Sequence, residues 1–254
     1  MLKRVSMELE SLGFNIEKVL ALDKYAVLKV VLGGREVVVY IPKPCLDSIK
    51  SRECLDGIED LELEYVYASR IKSKYIANFL GLFKFGDLKI LVREFISTTL
   101  REEISKKPLD LHKILKISID VARGLCDVHR AGLVYTDLKP ENVGIDRDGN
   151  GVLLDLDSLT PPFTKSKFIT HRYAPPEYFS NGVVVYESDT YQLALLMLES
   201  LDNDISKNID NENNSYTGFD ELDKLLESML NSIPFLRPRI EDLVNKFEKF
   251  MDVI

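Results

Sequence analysis

Asp137-Leu138-Lys139-Pro140-Glu141-Asn142, with Asp155 thirteen residues beyond Asn142, is the stretch on which the fold of this chain turns. It gathers two carboxylates, an amine and an amide into six residues, and a third carboxylate follows at Asp155. Working outward, Leu111, Ile114, Leu115, Ile117, Ile119, Val121, Leu125 and Val128 recur at helical spacing, which predicts a long helix over 110–131 stopped by Gly132. Downstream of Asp155, helices are predicted near 175–180, 187–201, 219–231 and 239–251. The Asn- and Asp-rich segment 203–218 reads as a loop and as the least ordered stretch of the domain.

The first third of the chain has a different rhythm. Leu2, Val5, Leu9 and Leu12 share a helical face, so a short N-terminal helix is predicted over 2–12. From Asn15 to Pro42 the pattern becomes β. Asp23-Lys24 and Gly33-Gly34 are candidate hairpin turns, which gives antiparallel strands over 15–22, 25–32 and 35–42. A helix over 58–73 and strands near 78–85 and 88–95 follow. Thr99-Leu-Arg-Glu102 matches a capping box that starts a short helix. Five strands with one main helix, then a mostly helical remainder, is an α+β pattern in two segregated parts.

Composition bounds the function. The net charge of −8 over 254 residues argues against a phosphate-backbone partner, so no nucleic acid is expected. The short basic runs Lys165-Ser-Lys167 and Arg70, Lys72, Lys74 read as solvated faces. The three cysteines, Cys45, Cys54 and Cys126, show no CxxC spacing and argue against a disulfide framework or zinc site; Cys126 reads as a buried thiol. No signal peptide and no membrane span are expected, and the expected compartment is the cytoplasm.

An ordered series of motifs then resembles the eukaryotic-type protein kinases, Ser/Thr branch. Arg123–Gly132 resembles the helix before the catalytic loop, and Val134–Val143 the loop itself. Asp155-Leu-Asp157 stands where that family has Asp-Phe-Gly. Tyr173-Ala-Pro-Pro-Glu-Tyr178 resembles its Ala-Pro-Glu region, Ser188–Leu193 its buried-aspartate helix, and Leu236-Arg-Pro238 its late arginine. The resemblance implies a bilobal fold over 1–254, with a five-stranded N-lobe (1–93), a hinge (94–98) and a mostly helical C-lobe (99–254). It implies ATP and Mg²⁺ as cofactors. It assigns Asp137 to the acceptor hydroxyl, Lys139 to the γ-phosphate, and Asn142 and Asp155 to the metal. It also implies that Thr170 bonds to Asp137, that Asp189 is buried, and that Glu177 pairs with Arg237.

The N-terminal third departs from the family. Leu20–Leu28 holds no glycine where a glycine-rich phosphate loop is expected. Tyr40 falls where the phosphate-binding lysine belongs. Lys43 is three residues on, aimed to the opposite face and expected to be exposed. Glu64 matches the helix glutamate that would pair with that lysine. Arg93 stands at the gatekeeper place, where a cation could reach toward Glu64, and Glu94 begins the hinge; both join Glu64 as nucleotide-site candidates. Lys24 and Lys29 are the other cations that could replace the lysine. Tyr135-Thr136 replaces His-Arg, which removes the usual receptor for an activation-loop phosphate and predicts activity without that modification. Asp157 replaces a hinge glycine and adds a candidate metal ligand. The leading reading is an atypical Ser/Thr protein-kinase-like phosphotransferase. The alternatives are a pseudokinase scaffold and a kinase-fold enzyme acting on a non-protein acceptor. A protein substrate or protein partner is expected, and the sequence leaves the oligomeric state open.

Overall fold

The computed structural model describes residue 7 and residues 9–166, 169–202 and 216–253. Two compact units divide the chain: residues 1–70 with 77–95, and residues 71–76 with 96–254. The predicted 2–12 helix falls mostly outside the described residues; residues 9–11 are helical and Leu9 is buried. The greater part of the predicted 203–218 loop also lies outside them.

The first unit is built on β1 (Phe14–Leu22), β2 (Tyr25–Leu32), β3 (Arg35–Pro42), β4 (Phe79–Phe85) and β5 (Leu88–Glu94). They form one antiparallel sheet in the order β1-β2-β3-β5-β4. Gly33 and Gly34 both take positive φ, as the tight β2–β3 turn requires. Alternation along β3 sends Val37, Val39 and Ile41 into one core with Leu28, Val30, Ile90 and Val92. It sends Val38 and Tyr40 to the other face, with Tyr25, Leu61 and Leu91. Val38 pairs with Arg93 and Tyr40 with Leu91, so Arg93 lies on Tyr40's face by register alone.

Helix α1 runs from Arg52 to Ala68, earlier at both ends than the 58–73 predicted. Ser51 caps it, accepting from the Cys54 N–H at 3.1 Å, and apolar periodicity gives no sign of that first turn. At the far end the Ser69 hydroxyl turns back onto the Val66 carbonyl at 3.0 Å, a local bond that competes with helix continuation. Gly57 sits against Pro42, where a β-carbon would come within 2.8 Å of the proline ring, so α1 can approach the end of β3 only through a glycine there.

The cysteines overturn the sequence expectation: Cys45 and Cys54 form a disulfide. Cys45 lies in the 3₁₀ turn Lys43–Leu46 after β3, and Cys54 in the first turn of α1. Those two turns bring the Cα atoms to 4.7 Å, which a spacing of nine residues does not reveal. Cys126 is free and buried as predicted, and burial raises its pKa to about 11.

The second unit is mostly helical. Helix α2 (Leu100–Ile104) starts at the predicted capping box of Thr99 and Glu102. Helix α3 (Leu111–Arg130) is capped by Asp110. Strands β6 (Thr98–Thr99), β7 (Val143–Ile145) and β8 (Gly151–Leu153) form a small sheet, and β9 (Thr164–Lys165) pairs with β10 (Val183–Val184). Helices α4 (Pro176–Asn181), α5 (Tyr186–Asp202), α6 (Asp220–Met229) and α7 (Ile240–Met251) complete it. Helix α5 is buried nearly all round, including Asp189, Gln192 and Glu199. Polar groups in such a helix must be hydrogen-bonded. No helix among the described residues is long and apolar enough to cross a membrane.

Denatured without reductant, the protein is expected to show one reactive thiol, and three after reduction; three without reductant contradicts the Cys45–Cys54 bond. Removing that bond by Cys45→Ser is expected to lower stability by about 2.5 kcal/mol, measured by urea titration.

Candidate active site

The stretch 134–142 is held from below by α5. The buried Asp189 carboxylate accepts the Tyr135 N–H at 2.8 Å, the Thr136 N–H at 2.9 Å and His129 Nε2 at 2.8 Å. One turn on, Gln192 accepts the Leu138 N–H at 3.1 Å and donates to the Thr136 carbonyl at 2.8 Å. These bonds hold Thr136 at φ 67°, a left-handed conformation that a β-branched residue avoids unless its surroundings impose it. The Thr136 hydroxyl donates to the Ser158 carbonyl at 2.7 Å, and Ser158 Oγ donates to the Tyr135 carbonyl at 2.7 Å. The loop and the segment after Asp155 are therefore stitched together through the hydroxyls of Thr136 and Ser158.

The candidate catalytic residues converge on this support. Lys139 Nζ donates to Asp137 Oδ2 at 2.6 Å and to Thr170 Oγ1 at 2.8 Å. The Thr170 N–H donates to the other oxygen, Asp137 Oδ1, at 2.8 Å. Asn142 Nδ2 donates to the Asp137 carbonyl at 2.9 Å and to Oδ2 at 3.2 Å, which leaves Asn142 Oδ1 as the amide's outward acceptor. The Leu154 N–H donates to the Asn142 carbonyl at 3.0 Å, so the residue carrying the Asp155 carboxylate follows the one bonded to Asn142. Asp155 Oδ1 accepts the Asp157 N–H at 3.3 Å. An amide oxygen and a carboxylate are the hard donors Mg²⁺ prefers. Among the described residues no group of three or more His, Cys, Asp or Glu is placed to hold a metal ion.

The altered positions of the first unit have their own order. Arg93 is buried; its Nε donates to Tyr40 Oη at 2.8 Å, its Nη1 to the Glu94 carbonyl at 2.9 Å, and its guanidinium carbon lies 5.5 Å from the Tyr40 ring centroid. The guanidinium that the sequence pointed toward Glu64 reaches Tyr40 and the Glu94 backbone through these two bonds. Glu64 is buried on the inward face of α1. Glu94 Oε1 accepts the Asn78 N–H at 2.7 Å, so that carboxylate serves the local backbone. The other candidate cations have partners of their own, although Lys24 also lies over the Tyr25 ring at 4.8 Å and Lys29 over the Phe95 ring at 4.6 Å. Lys43 is exposed, as predicted, and donates to the Leu22 carbonyl at 3.0 Å. Lys24 pairs with Asp60 at 3.5 Å, and Lys29 with Glu17 at 2.8 Å and Glu36 at 2.5 Å.

Two further ion clusters frame the second unit. Arg237, with a fully buried side chain, meets Glu177 through two bonds of 2.8 and 2.7 Å, as predicted. Sequence reasoning missed the other. Glu199 on α5 pairs with Arg101 at 3.0 Å and Arg172 at 3.1 Å, and accepts the Tyr173 hydroxyl. A carboxylate following the apolar run Leu193–Leu198 was the available signal, because a buried acid demands partners.

Comparison with known proteins decides the family. The profile of the protein kinase domain matches residues 45–254. The chain belongs to the protein kinase family. Its α+β fold is the bilobal one of that family, with the five-stranded antiparallel sheet in the smaller lobe. The chain is 28% identical over 200 residues to the serine/threonine-protein kinase PrkC of Bacillus subtilis (strain 168), covering 70% of this chain and 30% of that protein. It is 29% identical over 158 residues to cysteine-rich receptor-like protein kinase 24 of Arabidopsis thaliana, covering 56% of this chain and 25% of that protein. The chain thus spans less than a third of either relative's length. The family match begins after β3, so the strand with Tyr40 and the glycine-free hairpin lie outside it.

Asp189→Asn keeps the shape of the side chain but removes the charge that takes three donors. It is expected to lower the stability of the kinase by about 3 kcal/mol in urea titration; a loss under about 1 kcal/mol would mean the loop is held by other contacts.

Proposed function

We propose that this kinase transfers the γ-phosphoryl group of ATP, with Mg²⁺, to a serine or threonine hydroxyl of a protein. The observation that carries this reading is the Asp137–Lys139–Thr170 assembly, in which both oxygens of one carboxylate and one ammonium are held by a loop under buried restraint. In the proposed step the acceptor oxygen forms the new bond to phosphorus, the bond from γ-phosphorus to the diphosphate oxygen breaks, and the hydroxyl proton goes to Asp137. Lys139 presents positive charge to the moving phosphoryl group. Asn142 Oδ1 and Asp155 would hold the metal, which when bound neutralises phosphate charge. Asp157 has no assigned role.

Arg93 is assigned as the cation that replaces the missing lysine. It is buried, shares Tyr40's face of the sheet and is oriented by Tyr40. A guanidinium offers fixed paired donors, and phosphate accepts them well. The same aromatic face, with Tyr25 and Tyr40 in edge contact at 6.1 Å, is the observation that favours the scaffold reading instead.

Thermal unfolding with ATP, with and without Mg²⁺, separates the two. A saturating nucleotide at about 100 times its dissociation constant is expected to add about 2.7 kcal/mol. Labelled-phosphate transfer is expected to fall about 100-fold or more in Asp137→Asn and in Asp155→Asn. Arg93→Leu is expected to raise KM for ATP about tenfold. Neither a shift nor transfer in the wild type would sink the enzyme reading and leave the scaffold.

A further inference from the structure

The residues around the acceptor position carry a charge opposite to that of the chain. From Ser158 to Pro176 there are Lys165, Lys167, His171 and Arg172 and no Asp or Glu, in a protein of net charge −8. Lys167 lies outside the described residues; Lys165 and Arg172 are exposed. Arg172 sits in the 3₁₀ turn His171–Tyr173, which is closed by the Tyr173 N–H donating to the Thr170 carbonyl at 2.9 Å. Thr170 is the residue bonded to both Asp137 and Lys139, so Arg172 is anchored two residues from the catalytic cluster.

The nearby carboxylates are already engaged. Glu141, within the catalytic stretch, accepts Arg101 Nε at 2.7 Å. Glu199 is 1% exposed and holds both Arg101 and Arg172, while Tyr173 Oη accepts Arg101 Nη2 at 2.8 Å. Glu177 is engaged by Arg237 and by the Ser188 hydroxyl at 2.8 Å. Arg172 keeps 52% of its side chain exposed, and it meets Glu199 through Nη2. An arriving chain therefore meets outward guanidinium and ammonium groups, while the carboxylates beneath them are internally neutralised.

We infer that the acceptor is an acidic peptide segment, with Asp or Glu beside the phosphorylated hydroxyl, recognised by Arg172 and Lys165. This rests on the phosphotransferase reading for its chemistry, but the surface makes its own prediction about binding. Two fluorescent peptides, identical except that the single serine is flanked by glutamates in one and by lysines in the other, serve as probes. The full chain is assayed for phosphoryl transfer to each and, separately, for binding to each by anisotropy.

The acidic peptide is expected to bind and react about tenfold better, with the difference shrinking at high salt. Lys165→Glu, on an exposed side chain, and Arg172→Gln are each expected to cut that ratio several-fold, with the pair together bringing it near one. Transfer without preference, or preference for the basic peptide, overturns the inference and leaves the enzyme reading standing. Transfer to neither peptide counts against the enzyme reading, and anisotropy then decides: tighter binding of the acidic peptide supports the surface, and equal or weaker binding overturns it.

Discussion

The buried carboxylate of Asp189 is the interaction on which the candidate site depends. It lies in a helix with almost no solvent contact, and a charge there survives only because Tyr135, Thr136 and His129 all donate to it. The cost of leaving that charge unpaired drives the loop backbone into one conformation. Thr136 is forced to positive φ, and Asp137 follows it toward Lys139, Asn142 and Thr170. Preorganisation of this kind matters because phosphoryl transfer relies on positioning and charge more than on covalent chemistry.

The same constraint explains how the segment after Asp155 can be ordered without an arginine at position 136. Val134 and Thr160 exchange backbone bonds of 2.8 and 3.0 Å. Further on, β9 and β10 pair, Phe163 donates to the Val184 carbonyl at 2.8 Å, and Ser166 to the Gly182 carbonyl at 3.1 Å. These backbone bonds and the Thr136–Ser158 contact tie the segment to the loop without an arginine at position 136. In the first unit, Tyr40 on β3 takes a hydrogen bond from Arg93 on the neighbouring strand β5, whose register partner is Val38 on the same face, and the proposed nucleotide role of Arg93 rests on that contact.

Much of this was legible in the sequence, for identifiable reasons. The three N-terminal strands were readable because Asp23-Lys24 and Gly33-Gly34 punctuate β-branched runs, and α2 because its capping box is a local signal. The residues from Asp137 to Asp155 were readable because their chemistry is compressed into a short stretch. What escaped was set by contacts distant in sequence or hidden by geometry. The start of α1 depends on a single capping serine. The Cys45–Cys54 bond depends on two turns meeting. Arg93 finds Tyr40 through strand register 53 residues apart. Arg101, Arg172 and Glu199 come from three separate elements, and only Glu199, an acid in an apolar helix, signalled that partners existed.

On the proposed reading, a catalytic loop fixed by Asp189, with its following segment fixed by strand pairing, transfers phosphate without being phosphorylated itself. Single-turnover transfer from labelled ATP, measured on the same preparation before and after exhaustive phosphatase treatment, tests it most directly. The same rate is expected in both states. Transfer that disappears on dephosphorylation, and returns when the segment is phosphorylated again, would contradict it.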